Sequence, residues 1–197
     1  MEDKLERGFL KDILRSGQTV FTTRDLQLMW GSIPLTRVYN RINYYLKQGD
    51  LHKIRRGMFA RDKNYDRHEM ASRIYAPSYI SFETVLGQEG ITFQFYSQLF
   101  VASSLTKEMV ADGQKIQFLK LHKEILLNPL GVDFTSNYAQ ATPERAFLDR
   151  LYLSPEYHFD RLDLLNWEKV QSILPAYRGN KQLNFRVDRL RREWENS

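Results

Sequence analysis

Between Leu35 and Arg61 the spacing of apolar residues predicts a helix followed by a hairpin. Leu35, Val38, Ile42 and Leu46 recur at three- and four-residue steps and share one side of a helix. Thr36, Arg37, Asn40, Arg41, Tyr44 and Lys47 fall on the other side, a set without an acid. Gly49-Asp50 stops the helix. Leu51 to Arg55 and Met58 to Arg61 read as short strands joined by Arg56-Gly57. Upstream, Leu5, Phe9, Ile13 and Leu14 give a helix over residues 3–16 an apolar stripe, closed by Ser16-Gly17. Val20 to Thr22 is extended. Thr23 is the expected N-cap of a second helix, Arg24 to Trp30, with Asp25 in its first turn and Leu26, Met29 and Trp30 for the core. Gly31 to Pro34 is a turn, and Pro34 sits at a helix start, where its missing N–H costs little. The order is helix, strand, helix, turn, helix, hairpin, the plan of a winged helix-turn-helix.

Lys63 to Arg67 is a polar connector, and a second domain begins after it. Met70, Ile74 and Tyr75 mark a short helix ending before Pro77. Tyr79 to Ser81 is a brief strand. Phe82 to Glu89 is a helix closed by Gly90. Leu99 to Ala102 and Lys115 to His122 read as strands, with Asp112-Gly113 as a turn between them and Tyr138 to Ala141 as a further short strand. Thr142-Pro143-Glu144-Arg145 is a helix start with a Thr cap, Pro in the first position and an early acid. That helix runs to Leu153, and two more follow near 160–174 and 182–195. The predicted class is α+β, an N-terminal winged helix-turn-helix over 1–66 and a mixed α/β domain over 67–197.

Composition narrows the function. Of 197 residues, 42% are hydrophobic and 13% aromatic, enough for packed cores. No run approaches the roughly 18 apolar residues of a membrane span, and no membrane partner is expected. Cys is absent, which excludes disulfides and thiolate metal sites. The charged start, Met1-Glu2-Asp3-Lys4, is unlike an apolar signal segment, and a cytoplasmic protein is expected. The net charge of +5 is unevenly placed: residues 1–66 hold 13 Lys/Arg against 8 Asp/Glu, residues 67–197 hold 16 of each. Within 19–61 there are 8 basic and 2 acidic residues. Clustered positive charge is the footprint of a phosphate-binding surface.

The candidate chemistry follows. Arg37, Asn40, Arg41 and Tyr44 are base-reading candidates, since Arg pairs bidentately with guanine and Asn with adenine. Thr36 and Lys47 extend that face. Lys53, Arg55 and Arg56 on the hairpin suit phosphate or minor-groove contacts, which position without specifying. The competing reading of the helix face is phosphate contact alone, or a solvated surface. Tyr39 and Tyr45 read as packing residues with a polar tip. Glu144, Arg145 and Asp149 read as cap, dipole partner and local salt bridge, although Arg145 could also serve as a functional surface residue of the second domain. No catalytic residue, cofactor or metal site is expected. His52, His68, His122 and His158 lack metal-pair spacing, the glycines form no phosphate loop, and no G-x-S-x-G elbow occurs. A metal-dependent nuclease using paired acids such as Glu124 and Asp133 is the weakest alternative.

Three segments carry a family resemblance: Phe21-Thr22-Thr23 with Ile54-Arg55-Arg56-Gly57-Met58-Phe59; Pro77-Ser78-Tyr79-Ile80-Ser81-Phe82-Glu83-Thr84-Val85-Leu86 with Gly90-Ile91; and Ala141-Thr142-Pro143-Glu144-Arg145-Ala146-Phe147-Leu148-Asp149. In order and spacing over residues 20–153 the chain resembles the AbiEi-type antitoxins, transcriptional regulators of bacterial abortive-infection (type IV toxin–antitoxin) operons. The resemblance implies a DNA-binding repressor that autoregulates its promoter in an antiviral defence operon. It also implies a C-terminal domain that counters a nucleotidyltransferase toxin without a stable complex. Double-stranded operator DNA is the expected partner, with dimerisation or cooperative pairing on inverted repeats lengthening the site. A winged-helix regulator whose second domain senses an unrelated ligand or partner is the alternative.

Overall fold

The computed structural model describes residues 10–134 and 137–196. The chain divides between Arg73 and Ile74 into two compact units, each mixing helices with a sheet. The protein is therefore α+β.

In the first unit, helix α1 is described over residues 10–15. It is followed by β1 (Val20–Thr22), α2 (Thr23–Met29), α3 (Leu35–Gln48), β2 (His52–Arg55), β3 (Met58–Ala60) and α4 (Arg67–Ile74). The sheet order is β1-β3-β2, all antiparallel, with Phe21 opposite Phe59. Phe21, Leu26, Trp30, Val38, Ile42, Tyr45, Leu51 and Phe59 share one core with Ile13 of α1. Two residues assigned to apolar stripes face solvent instead: Leu35 is 49% and Leu14 is 54% exposed. Leu5 and Phe9 lie outside the described residues. Tyr45, not Leu35, completes the buried side of α3, and Leu46 packs at its margin. Thr22, not Thr23, caps α2. Its extended backbone (φ −85°, ψ 162°) lets its hydroxyl accept from Asp25 N at 3.1 Å while Asp25 Oδ2 accepts from Thr22 N at 2.8 Å. This reciprocal box satisfies two donors that a helix start otherwise leaves orphaned.

The break between units falls seven residues beyond the expected one, because α4 is held by the first unit. Glu69 Oε2 accepts from Thr19 N at 2.9 Å and from Thr19 Oγ1 at 2.6 Å. Arg73 lies 3.1 Å from both Asp25 and Glu69.

The second unit holds β4 (Ser78–Ile80), α5 (Glu83–Gln88), β5 (Leu99–Ser103), β6 (Lys107–Ala111), β7 (Gln114–Lys120) and α6 (Lys123–Leu126). Then come β8 (Val132–Asp133), β9 (Gln140–Ala141), α7 (Pro143–Leu153), α8 (Trp167–Ile173) and α9 (Lys181–Glu195). The six strands run in the order β6-β7-β5-β4-β9-β8, with β5 parallel to β7 and β4 parallel to β9. Asp112 and Gly113, both at positive φ, turn β6 into β7. The sequence pattern did not foresee β6: Lys107, Glu108 and Val110 are exposed on a sheet edge and only Ala111 is buried, so the strand shows no alternating apolar face. Nor did it mark α6 or β8, at four and two residues.

Helix α7 is buried on every side from Glu144 to Leu151. Its core is a guanidinium. Arg145 is fully buried, and all five of its N–H donors find acceptors. Nε donates to Asp149 Oδ1 at 3.1 Å, Nη1 to the carbonyls of Leu130 (2.7 Å) and Asn128 (3.4 Å), and Nη2 to Ile125 O (2.7 Å) and Tyr79 Oη (2.8 Å). Asp149 also accepts from Tyr177 Oη at 2.6 Å, Ser81 Oγ at 2.8 Å and Tyr79 Oη at 2.9 Å. One turn on, Arg150 pairs with Glu83 and lies over the rings of Phe82, Phe100 and Tyr157. Arg145 is therefore not a surface residue: the cap and salt-bridge reading of Thr142 to Asp149 holds, and the surface reading of Arg145 does not.

Gly131 marks where this packing is tightest. Its φ is +71°, and a Cβ there would lie 2.7 Å from Ile173 Cδ1 and 2.9 Å from Arg145 Cβ. Gly131→Ala should destabilise the second unit by at least about 2 kcal/mol, from overpacking plus backbone strain. Urea unfolding checks this, and a change within about 0.5 kcal/mol would contradict it. The network also sets an alkaline limit. Burial first, then the charge of Asp149, pushes the Tyr79 and Tyr177 hydroxyls well above their ordinary value of 10. The unfolded chain releases these protons near pH 10 while the folded chain keeps them. Stability should therefore stay level below about pH 10 and fall above it by up to about 1.4 kcal/mol per pH unit per tyrosine. Unfolding measured from pH 8 to 11 should show a shallower alkaline decline for Tyr177→Phe than for the parent.

Candidate nucleic-acid interface

The core of the first unit fixes which side of α3 is open. Val38, Ile42 and Tyr45 are buried, with the Tyr45 ring 6.2 Å from Trp30 of the α2 C-terminus. Thr36, Arg37, Asn40, Tyr44 and Lys47 are exposed on the opposite side and form two adjacent rows along the helix. Among the described residues the side chains of Thr36, Arg37, Asn40 and Lys47 make no hydrogen bond or ion pair within the protein. Tyr44 meets Tyr45 edge to face at 5.5 Å, so its ring is steadied while 43% of the residue stays exposed.

Arg41 differs from this set. It lies beside Tyr45 on the helix, is half-buried and has partners within the protein, so it sits at the margin of the open face. The sequence reading also passed over two neighbours. Asn43 is exposed beside Thr36 on the helical wheel, and Tyr39, read as a packing residue, is 50% exposed. Helical phase alone would have placed Asn43 on the face, since it lies four residues from both Tyr39 and Lys47.

The start of α3 adds fixed donors. Pro34, at the helix start as expected, is its N-cap, and the Pro34 carbonyl accepts from Arg37 N at 2.9 Å and Val38 N at 3.2 Å. The amides of Leu35 and Thr36 have no acceptor among the described residues, so the positive end of the helix dipole is open. The preceding turn is held by Gly31 at φ +80°, and Gln27 Nε2 donates to Ile33 O at 3.0 Å. Gly49 at φ +82° ends the helix where predicted.

Lys53, Arg55 and Arg56 are all exposed on the β2–β3 hairpin, while Ile54 turns inward. Arg55 has a partner within the protein. Lys53 and Arg56 have none among the described residues. The hairpin turn at Gly57 (φ +75°) is tied to the start of α2, since Gly57 O accepts from Thr23 N at 3.0 Å. Thr23, though not the cap, thus sets where the basic tip stands. His52 stacks on Tyr65 at 6.2 Å and closes the other end of the hairpin.

Glu124 of the paired-acid alternative is ion-paired with Arg178. Among the described residues no three His, Cys, Asp or Glu side chains gather as a metal would require. No helix among them is long and apolar enough to cross a membrane.

No family model matches the chain, and no curated protein matches it. A solved structure, the RV2827C protein from Mycobacterium tuberculosis, is similar at 13% identity and a TM-score of 0.44, over 91% of this chain and 74% of that one. That likeness assigns neither a family nor a function.

Because the Arg37 and Asn40 side chains make no hydrogen bond or ion pair among the described residues, Arg37→Ala and Asn40→Ala should shift stability by no more than about 0.5 kcal/mol. Thermal unfolding of each variant checks this, and a large loss would show that these residues serve the fold.

Proposed function

We propose that this chain is a DNA-binding transcriptional repressor whose residues 20–60 act as a winged helix-turn-helix. The observation that carries this is the open side of α3: exposed, acid-free and, among the described residues, without internal partners at Thr36, Arg37, Asn40 and Lys47. A side chain committed to no internal bond is available to a base edge or a phosphate without breaking anything. In this reading Arg37 and Asn40 read base edges in the major groove, with Tyr44 and Asn43 beside them. The open amides at the α3 start and Lys47 meet phosphate, and Lys53 and Arg56 on the hairpin grip the flanking backbone. Arg41 and Arg55, already partnered, orient rather than read.

The resemblance in residues 20–153 extends the proposal. The repressor is the antitoxin of a nucleotidyltransferase toxin, it acts in the cytoplasm on its own promoter, and its second unit opposes the toxin without catalysis. Pairing of two copies on inverted repeats supplies the site length that one helix lacks.

The test is a gel shift of the full chain on the DNA upstream of its own gene at two salt concentrations. Arg37→Glu combined with Asn40→Ala should weaken binding by at least a hundredfold. Lys53→Ala and Arg56→Ala should each weaken it less and lower the salt slope by about 1. Unchanged affinity on altering Arg37 and Asn40 would sink the assignment of this face. In co-expression, the same variants should lose repression yet still rescue growth from the toxin. Loss of rescue would contradict the division of labour.

A further inference from the structure

A cavity of about 340 Å³ in the second unit lies between α5 and residues 92–98. Its lining combines three chemistries. The first is a carboxylate: Glu83 has a side chain only 4% exposed, and Arg150 bonds its Oε2. Oε1 has no donor among the described residues. The second is polar side chains. Thr92 is buried, with its hydroxyl beside that of Tyr157. Gln94 receives the Tyr96 hydroxyl on Oε1 at 2.6 Å, which leaves its amide N–H groups unpaired. The third is aromatic rings in water: Phe93 is 69% and Phe95 91% exposed.

These rings stand on an anchored segment. Phe93 N donates to Asp160 Oδ2 at 2.8 Å, Ser97 O accepts from Gln114 Nε2 at 2.9 Å, and Tyr96 sits edge-on to Phe100 at 5.2 Å. A fixed loop that holds a phenyl ring almost wholly in water offers a stacking surface. Among the described residues no Lys, Arg or His lines the cavity, so it offers a phosphate no cation. Arg150 balances the one buried carboxylate, so the cavity does not call for a cation either.

We propose that this cavity takes a single unpaired nucleobase bearing an exocyclic amine, stacked on Phe95 and donating its amino hydrogen to Glu83. A base supplies a π-face for the ring and an N–H edge for the open carboxylate oxygen. Adenine, cytosine and guanine carry that amine. Uracil has a carbonyl oxygen where cytosine has the amine and keeps only its ring N–H as a donor, so it binds more weakly. Gln94 and Thr92 complete the edge contacts, and the sugar and any phosphate stay in solvent. The inference is independent of the repressor reading, because a duplex keeps its bases paired.

The experiment is calorimetry on the full chain with adenosine, guanosine, cytidine, uridine and a six-residue single-stranded oligoadenylate. The three amino-bearing nucleosides should bind, and uridine at least tenfold more weakly. Phe95→Ala should weaken adenosine tenfold or more with unchanged melting, since the ring is 91% exposed. Glu83→Gln should lift the bias against uridine, and should it fail to fold, Phe95→Ala and the uridine comparison still decide. Oligoadenylate bound more than tenfold tighter than adenosine identifies a single strand as the source, and equal affinities identify a free nucleoside. Absence of binding at millimolar concentration, equal affinity for uridine and adenosine, or no effect of Phe95→Ala would each overturn the proposal. A failed gel shift at the promoter would not.

Discussion

A charged guanidinium sealed from water is the constraint on which the second unit depends. Moving Arg145 out of water costs several kcal/mol, which is offset only when every N–H has an acceptor and the countercharge is itself satisfied. Both conditions are met. Arg145 has five acceptors, and Asp149 takes the guanidinium and three hydroxyls, which fills its lone pairs. Burial works against the Arg145 charge, but Asp149, Tyr177 and Tyr79 outweigh it, and its pKa rises. The partners come from β4, α6 and its connection to β8, α7 itself and Tyr177. Those segments lie up to 98 residues apart (Tyr79 to Tyr177), so none of them is stabilised until the others are in place. Phe82 shows the consequence locally. Its φ of +55° is unfavourable for a side chain with a Cβ, and it stands because Ser81 is held by Asp149 and Glu83 by Arg150. Lysine could not replace Arg145, since one ammonium lacks the planar fork that reaches both carbonyls and Asp149.

The first unit solves the opposite problem. Its core is an apolar cluster with Tyr45 and Trp30 at its edge, and needs no buried cation. Its polar contacts hold element ends: Thr22 boxes with Asp25 at a helix start, and Glu69 and Arg73 tie α4 back to Thr19 and Asp25. Each contact fixes one element end and leaves the rest of the surface unconstrained. The open side of α3 is therefore a surplus of the fold, and substitutions there are free to follow a ligand.

How legible this was depends on how local the cause was. Gly49, Gly90 and the Thr142-Pro143 start read correctly because a cap or a positive-φ residue acts within four residues. The α3 register was right at Val38 and Ile42 and wrong at Leu35. A first-turn leucine has the helical phase of the core, but the chain entering from Pro34 puts it beyond the reach of α2. Thr22 and Thr23 are adjacent candidates, and only the strand pairing of β1, which leaves Thr22 extended, chooses between them. Of the candidate site, Thr36, Arg37, Asn40, Tyr44, Lys47, Lys53 and Arg56 could be placed on the surface from phase alone. The partners of Arg41 and Arg55 could not, since they belong to tertiary structure. The Arg145 network was the least legible. Tyr79, Ser81, Asp149 and Tyr177 have no sequence relation to one another, and an arginine four residues from an aspartate looks the same in water as in a core.

Charge counting gains meaning from this contrast. In residues 67–197 the equal 16 and 16 conceal pairs spent inside the fold, Arg145 with Asp149 and Arg150 with Glu83, so neutrality there describes packing as much as surface. In residues 19–61 the 2 acids are Asp25 and Asp50. Asp25 is committed to the α2 cap and to Arg73, and Asp50 follows the Gly49 stop, so neither stands on the open side of α3. Among the described residues Arg37, Lys47, Lys53 and Arg56 of this stretch have no acidic partner. A net charge that is modest over the whole chain thus becomes, on one face of α3 and at the hairpin tip, a run of exposed side chains that holds cations and no acid.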